Sequence, residues 1–322
     1  MAADPTPVSR WPQRLAWATL AAAVPLLLFG GTVTTLEAGM AIDGWLVLEP
    51  GRGDHFLFFF PVEKWFRDAG TFVEHSHRLL GSLVGFLAIG TVLATFLGDR
   101  RVSARALSVA ALLAVCAQGV IGGLRVLENS GELAFLHGAL GQAVFAVLAA
   151  TAIGLSPRWR ASAPATGARA SGAQRLALIS LALVYTTIFL GAWLRHSASF
   201  AALILHLALM LAATGALIAL AARLKMAAGT GAERLLAVRR GLLALLGAQL
   251  ALGALSFLVI YVTVGPTARD VRQAVFPTLH VLFGGLLLAQ CVSAVMWTRR
   301  LLPVEGEHAL EHALEPGIEA GS

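Results

Sequence analysis

The chain has 322 residues, of which 57% are hydrophobic and only 13% charged, with a mean hydropathy of +0.77. A soluble domain carries roughly 25% charged residues, so a water-soluble globule is excluded and a polytopic membrane protein is indicated. The net charge of +6 does not point to nucleic acid, because Lys and Arg fall between apolar runs instead of forming a patch, and there they set topology.

In chain order, the first apolar run begins near Leu15 and lasts about 20 residues, which suits an uncleaved first helix better than a signal peptide. Windows of spanning length lie at about 14–35, 72–98, 104–125, 133–155, 175–194, 199–222, 238–264 and 273–298, each able to cross a hydrocarbon core of roughly 30 Å. Eight spans place both termini on one side. That side carries sixteen Lys and Arg and the other seven, with Arg78 inside a span. The bias puts the termini in the cytoplasm, or in the equivalent compartment of an organelle.

Cys116 and Cys291 lie within apolar segments, so neither a structural disulfide nor a thiol redox motif is expected, and both read as small core residues. "CAQGVIGGLRV" (116–126) in the third span is similar to "GAQLALGALSF" (247–257) in the seventh, 131 residues later. With the Ala/Ser/Gly/Arg-rich linker 156–175 between them, the halves read as pseudo-repeated four-helix bundles. The expected division is a bundle at 1–155, a linker at 156–175, a second bundle at 176–300, and a tail at 301–322 that is disordered or a short helix.

His77, His137, His206 and His280 fall on the second, fourth, sixth and eighth spans, all entering from the outside. Each sits about 5 to 8 residues past its helix start, or roughly 8 to 12 Å below the outer boundary. Two facing imidazoles inside a four-helix bundle are what axial ligation of a haem requires. A zinc or copper cluster is less attractive, since no Cys, Met or carboxylate gathers near them. Glu74, three residues before His77, shares its helix face. Arg78 follows His77 directly and, with Glu74, reads either as an interfacial pair or as a propionate contact beside a catalytic carboxylate. His75 points about 100° away and receives no role.

Several features take the bland reading. His196 beside Arg195 reads as an interfacial anchor, or as help for a propionate. His55 is taken as solvated, and "FLFFFPVEKWF" (56–66) as an interfacial segment over the bundle, or a lid. Gly81 and Gly85 form a helix-packing GxxxG. "EHALEHALE" (307–315), with His308 and His312 at i and i+4, reads as a short solvated helix.

"VEHSHRLLGSLVG" resembles the Glu-x-x-His-Arg signature of the haem A synthases. "FLHGALGQA" (135–143), "ILHLAL" (204–209), "LHVLFGG" (279–285), "QGVIGGLRV" (118–126) and "LEAGMAIDGW" (36–45) are similar to other segments of that family. The resemblance covers residues 15 to 300. It implies an oxidoreductase in the bacterial inner (plasma) membrane that converts the C8 methyl of haem O (heme O), its substrate, to the formyl of haem A. It further implies that His77 and His137 flank the substrate haem, that His206 and His280 ligate a haem b (heme b) cofactor, and that Glu74 is catalytic. A haem O synthase and the cytochrome oxidase assembly machinery are the implied partners, and a homo-oligomer is compatible with this reading. The chain departs from the pattern in lacking an outer-loop cysteine pair, in reading Asp43-Gly44-Trp45 after the first span, in its short "RHSAS" loop, and in having no Arg after His206. The alternatives are an inert bis-His dihaem cytochrome or haem-handling paralogue, and a transporter. The transporter reading predicts broken helices at mid-membrane, and no Pro-interrupted pair of spans supports it.

Overall fold

The computed structural model describes residues 9–164, 172–227, 233–263 and 271–302. The 307–315 stretch, nearly all of the expected tail and the middle of the linker lie outside them. Eight helices among the described residues are long and apolar enough to cross a membrane, making this an all-α, multi-pass membrane protein. In chain order the helices are α1 (Trp11–Thr35), the single turn α2 (Val62–Trp65), α3 (Ala69–Gly98), α4 (Val102–Leu127), α5 (Gly131–Gly154), the short α6 (Pro157–Ala161), α7 (Ala173–Ser197), α8 (Phe200–Met226), α9 (Glu233–Phe257) and α10 (Val271–Leu301). Residues Leu258–Thr263 continue α9 as a π-helical turn.

Local chemistry sets several of these helix starts. Asp68 caps α3 by accepting from the Thr71 N–H, and the hydroxyls of Ser130, Ser156 and Ser199 do the same for α5, α6 and α8. Between α7 and α8 the turn is so tight that Ala198 takes a left-handed conformation at φ 50°. Pro25 and Pro277 do fall inside spans, but α1 and α10 run through them as continuous helix.

The long helices pack as two rings of four. In the first, α1 contacts α3, α3 contacts α4, α4 contacts α5, and α5 returns to α1; α7, α8, α9 and α10 repeat the order. Helices α1, α5, α7 and α10 form the seam between the rings. Small residues line the close approaches, as expected where lipid supplies no hydrophobic drive between helices. On α3 the buried positions Val84, Ala88, Thr91 and Thr95 form one stripe, and the Thr91 hydroxyl meets that of Thr19 on α1 at 3.3 Å. Cys291 is buried, as expected for a core residue, whereas Cys116 is exposed on the outer surface of α4. Its neighbours in "LLAVCAQGV" are apolar apart from Gln118, so composition did not reveal which face turned inward.

Residues 36–68 fold over the end of the first ring. A two-residue hairpin pairs Val47 with Phe56 and Leu48 with His55, and Ile42, Leu48, Leu57 and Phe60 form a small core of their own. Gly44 makes the turn at φ +80°, and a β-carbon there would lie 2.1 Å from the Val47 carbonyl, so only glycine fits.

Candidate functional site

His77 stands on α3 and His137 on α5, diagonal helices of the first ring, with ring centres 6.2 Å apart and planes at 83°. His206 on α8 and His280 on α10 occupy the same diagonal of the second ring at 6.4 Å and 78°. Metal-type clusters of three or more His, Cys, Asp or Glu are absent among the described residues; these histidines come in twos. An iron held between two imidazole nitrogens at bonds of about 2 Å sets ring centres about 6 Å apart. Both pairs fit that span.

Each imidazole rests in a notch made by a glycine on the next helix. A β-carbon at Gly30 would lie 2.9 Å from Cε1 of His77, at Gly122 2.7 Å from that of His137, at Gly191 2.9 Å from that of His206, and at Gly253 2.9 Å from that of His280. In all four Cε1 is nearest, followed by Nδ1 and then Nε2. One turn before each glycine lies a polar partner. His77 donates its Nδ1–H to the Leu26 carbonyl at 3.2 Å, and His206 donates its own to the Thr187 carbonyl at 2.9 Å. The Gln118 amide lies 3.0 Å from Nδ1 of His137 and donates to the His137 carbonyl at 2.6 Å. Gln249 lies 3.3 Å from Nε2 of His280. A ring that donates through Nδ1 keeps the Nε2 lone pair for a metal, and such outer contacts fix ring orientation. The glycines and glutamines escaped the sequence reading, although Gln-x-x-x-Gly occurs in both similar segments, at 118–122 and 249–253.

Glu74 is 1% exposed. Its Oε2 accepts from the Ile42 N–H at 2.8 Å, and its Oε1 accepts from Arg78 at 2.6 Å. Arg78 also donates to the carbonyls of Ile42 at 2.9 Å and Gly44 at 2.8 Å. The pair thus clamps the 36–68 segment onto α3, and the terminal nitrogens of Arg78 are already engaged. His75, left without a role by sequence, is 2% exposed in a cage formed by Phe60 and Trp65, with ring centres at 4.9 and 5.1 Å. Phe58 of the aromatic segment packs on Phe86 of α3 at 6.0 Å, so this segment lies against the bundle. His55 does not stand free, since its Nε2 lies 3.2 Å from Lys64 Nζ. His196 packs edgewise on Phe135 of α5 at 6.2 Å, bridging the seam.

The capping residue of α3 supplies the electrostatics just outside the span. Asp68 is held at about 2, below the ordinary 3.8, first by the Thr71 backbone N–H, then by the Thr71 hydroxyl and Arg67. At the opposite end of the helix, Asp99 is also held low: burial pushes it up, but contacts with Arg101 outweigh that.

Residues 62–203 match the family model COX15-CtaA, described as cytochrome oxidase assembly protein, the family to which haem A synthases belong. The match takes in Glu74, His77, Arg78 and His137 and stops short of His206 and His280. No curated protein and no solved structure matches the chain.

Proposed function

We propose that this chain, whose residues 62–203 match the family model described as cytochrome oxidase assembly protein, is a haem A synthase-type oxidoreductase acting on haem O. The observation that carries the reading is an asymmetry between two otherwise similar histidine pairs. Glu74 and Asp99 are the buried carboxylates among the described residues, and Glu74 alone lies at the histidine-bearing end, one turn from His77. The duplicated bundles divide the work in this reading: residues 1–155 hold the substrate between His77 and His137, and residues 176–300 hold a cofactor between His206 and His280. That cofactor, haem b, supplies one-electron transfer when bound. Both termini lie in the cytoplasm and the histidines face the other side of a bacterial inner membrane.

The chain's own residues then have defined tasks. His77 and His137 hold the ring across the diagonal of the first bundle, while the glycine notches keep both imidazoles from rotating. Arg78 pairs with Glu74 at 2.6 Å in a site closed to water, where a carboxylate stabilises positive charge developing on the neighbouring carbon far more than it would in water. The segment 36–68, clamped by Glu74 and Arg78, closes this end of the bundle against water.

Co-expression with a haem O synthase, followed by haem extraction, tests the reading, and haem A or its hydroxylated precursor is the expected product. Glu74→Gln keeps an acceptor for the Ile42 N–H but removes the charge. It should lower turnover at least about 100-fold while leaving the bis-histidine absorption in place. Survival of turnover would remove Glu74 from the chemistry. A second reading, an inert dihaem cytochrome, draws on the fact that both Glu74 oxygens already serve the clamp. Recovery of unmodified haem alone from the wild-type chain would favour it.

A further inference from the structure

Beside each histidine pair lies a cation that no carboxylate among the described residues pairs with. At the first pair, Arg125 occupies the last turn of α4, one turn beyond the Gly122 notch. Its guanidinium lies against Gly39, where a β-carbon would come within 2.6 Å of it. The guanidinium makes no hydrogen bond or ion pair with a described residue. Its charge bears on His77, His137 and Glu74. Glu74 does not cancel it, because Arg78 already pairs with that carboxylate at 2.6 Å. Two cations and one anion leave this site one positive charge in excess.

At the second pair, Arg195 stands one turn beyond the Gly191 notch on α7. It donates to the Gly31 carbonyl at 2.8 Å and to the Thr35 hydroxyl, both neutral. Thr35 in turn meets the Thr278 hydroxyl at 3.3 Å, two residues before His280, and the charge of Arg195 bears on that histidine. A guanidinium withdrawn from water without a counter-ion is costly. Its occurrence twice, each time one turn from a histidine's glycine notch, indicates that the missing anion arrives with the ligand.

We infer that Arg125 and Arg195 are carboxylate anchors, one for each ring ligand, binding the acidic edge of a tetrapyrrole whose iron lies between the paired histidines. Arg78 instead directs its terminal nitrogens at Glu74 and the 42–45 backbone. The inference rests on the haem-binding reading above. It goes beyond it by naming which cations recognise the ligand's carboxylates and by requiring those carboxylates to be free.

The test uses the full chain in detergent, produced without haem and titrated with ferric protoporphyrin or with its dimethyl ester, in which both carboxylates are blocked. A His280→Ala background isolates the first pair, and a His137→Ala background the second. The parent should bind the diacid at least about tenfold more tightly than the ester, the scale of one charge-assisted hydrogen bond. Arg125→Gln should abolish that preference at the first pair without weakening ester binding, which also reports a folded site. Arg125→Lys should restore part of it, and the Arg195 variants should behave likewise at the second pair. Full diacid preference in Arg125→Gln and Arg195→Gln overturns the inference, and would mean that the arginines meet a lipid headgroup instead. Absence of a bis-imidazole band with either porphyrin in the parent chains overturns the haem-binding reading itself.

Discussion

At each of the four notches, replacing glycine would bring a β-carbon to within 2.7 to 2.9 Å of an imidazole carbon, closer than the roughly 3.5 Å at which carbon contacts become favourable. The ring has little freedom to yield, because Nδ1 of His77 and His206 is tied to a backbone carbonyl and Nδ1 of His137 lies 3.0 Å from the Gln118 amide. Gly122→Ala should therefore displace His137 at an overpacking cost of about 1–3 kcal/mol and weaken porphyrin binding at the first pair by about tenfold or more. Gly119→Ala, one turn earlier on α4, is the control, since nothing lies within 4 Å of a β-carbon there. A bis-histidine band of equal strength in both variants would mean that the notch does not position the ring. At this scale the sequence showed the ligands but not their supports. A histidine in an apolar span is conspicuous, whereas a glycine in a membrane helix is common and acquires meaning only from what it faces.

Among the elements, α3 carries the most consequence, because its second and third turns hold Glu74, His77 and Arg78 and its first turn is held by Asp68. The folded value of the Asp68 carboxyl, about 2, lies below its ordinary 3.8. The cap therefore contributes its full stability above 3.8, and the contribution fades as pH falls toward 2. Asp68→Ala should cost about 1 kcal/mol at neutral pH, as loss of an N-cap does, and should flatten this part of the acid dependence of Tm in detergent. Parallel Tm profiles for variant and parent across that interval would show that the cap is not the acid-sensitive group. Asp99, bound to Arg101 at 2.8 Å, adds a shift of the same sign at the other end of α3. The spans themselves were legible to within a few residues, because an unbroken apolar run of about 20 residues has few alternatives in a bilayer. Which face of each helix turns inward was not legible. In a soluble helix the polar stripe marks the outside, but here lipid-facing and buried positions are equally apolar, as exposed Cys116 and buried Cys291 illustrate.

Across the whole molecule, the two rings of four meet along α1, α5, α7 and α10, and the seam is tied at several depths. At the histidine-bearing end, Arg195 of α7 donates to the Gly31 carbonyl of α1, and Thr35 meets Thr278 of α10. Nearer the middle, Gln142 of α5 presses so closely on α10 that a β-carbon at Gly285 would lie 2.3 Å from its amide oxygen. At the opposite end, Trp159 of α6 packs edgewise on Trp297 of α10 at 5.3 Å, with Arg300 lying 5.6 Å over the Trp159 ring. None of these contacts needs the peptide link between the halves. Helix association in a bilayer depends on packing and hydrogen bonds that a second chain provides equally well. A chain divided between residues 164 and 172, with both parts co-expressed and only the second tagged, should therefore copurify in equal amounts and retain both histidine pairs. Arg195→Ala removes the tie at the histidine end alone, so it should loosen the divided protein more than the intact one, where the covalent link keeps the effective concentration high. Separation of the parts during purification would instead assign the cohesion of the seam to the connection through residues 165–171.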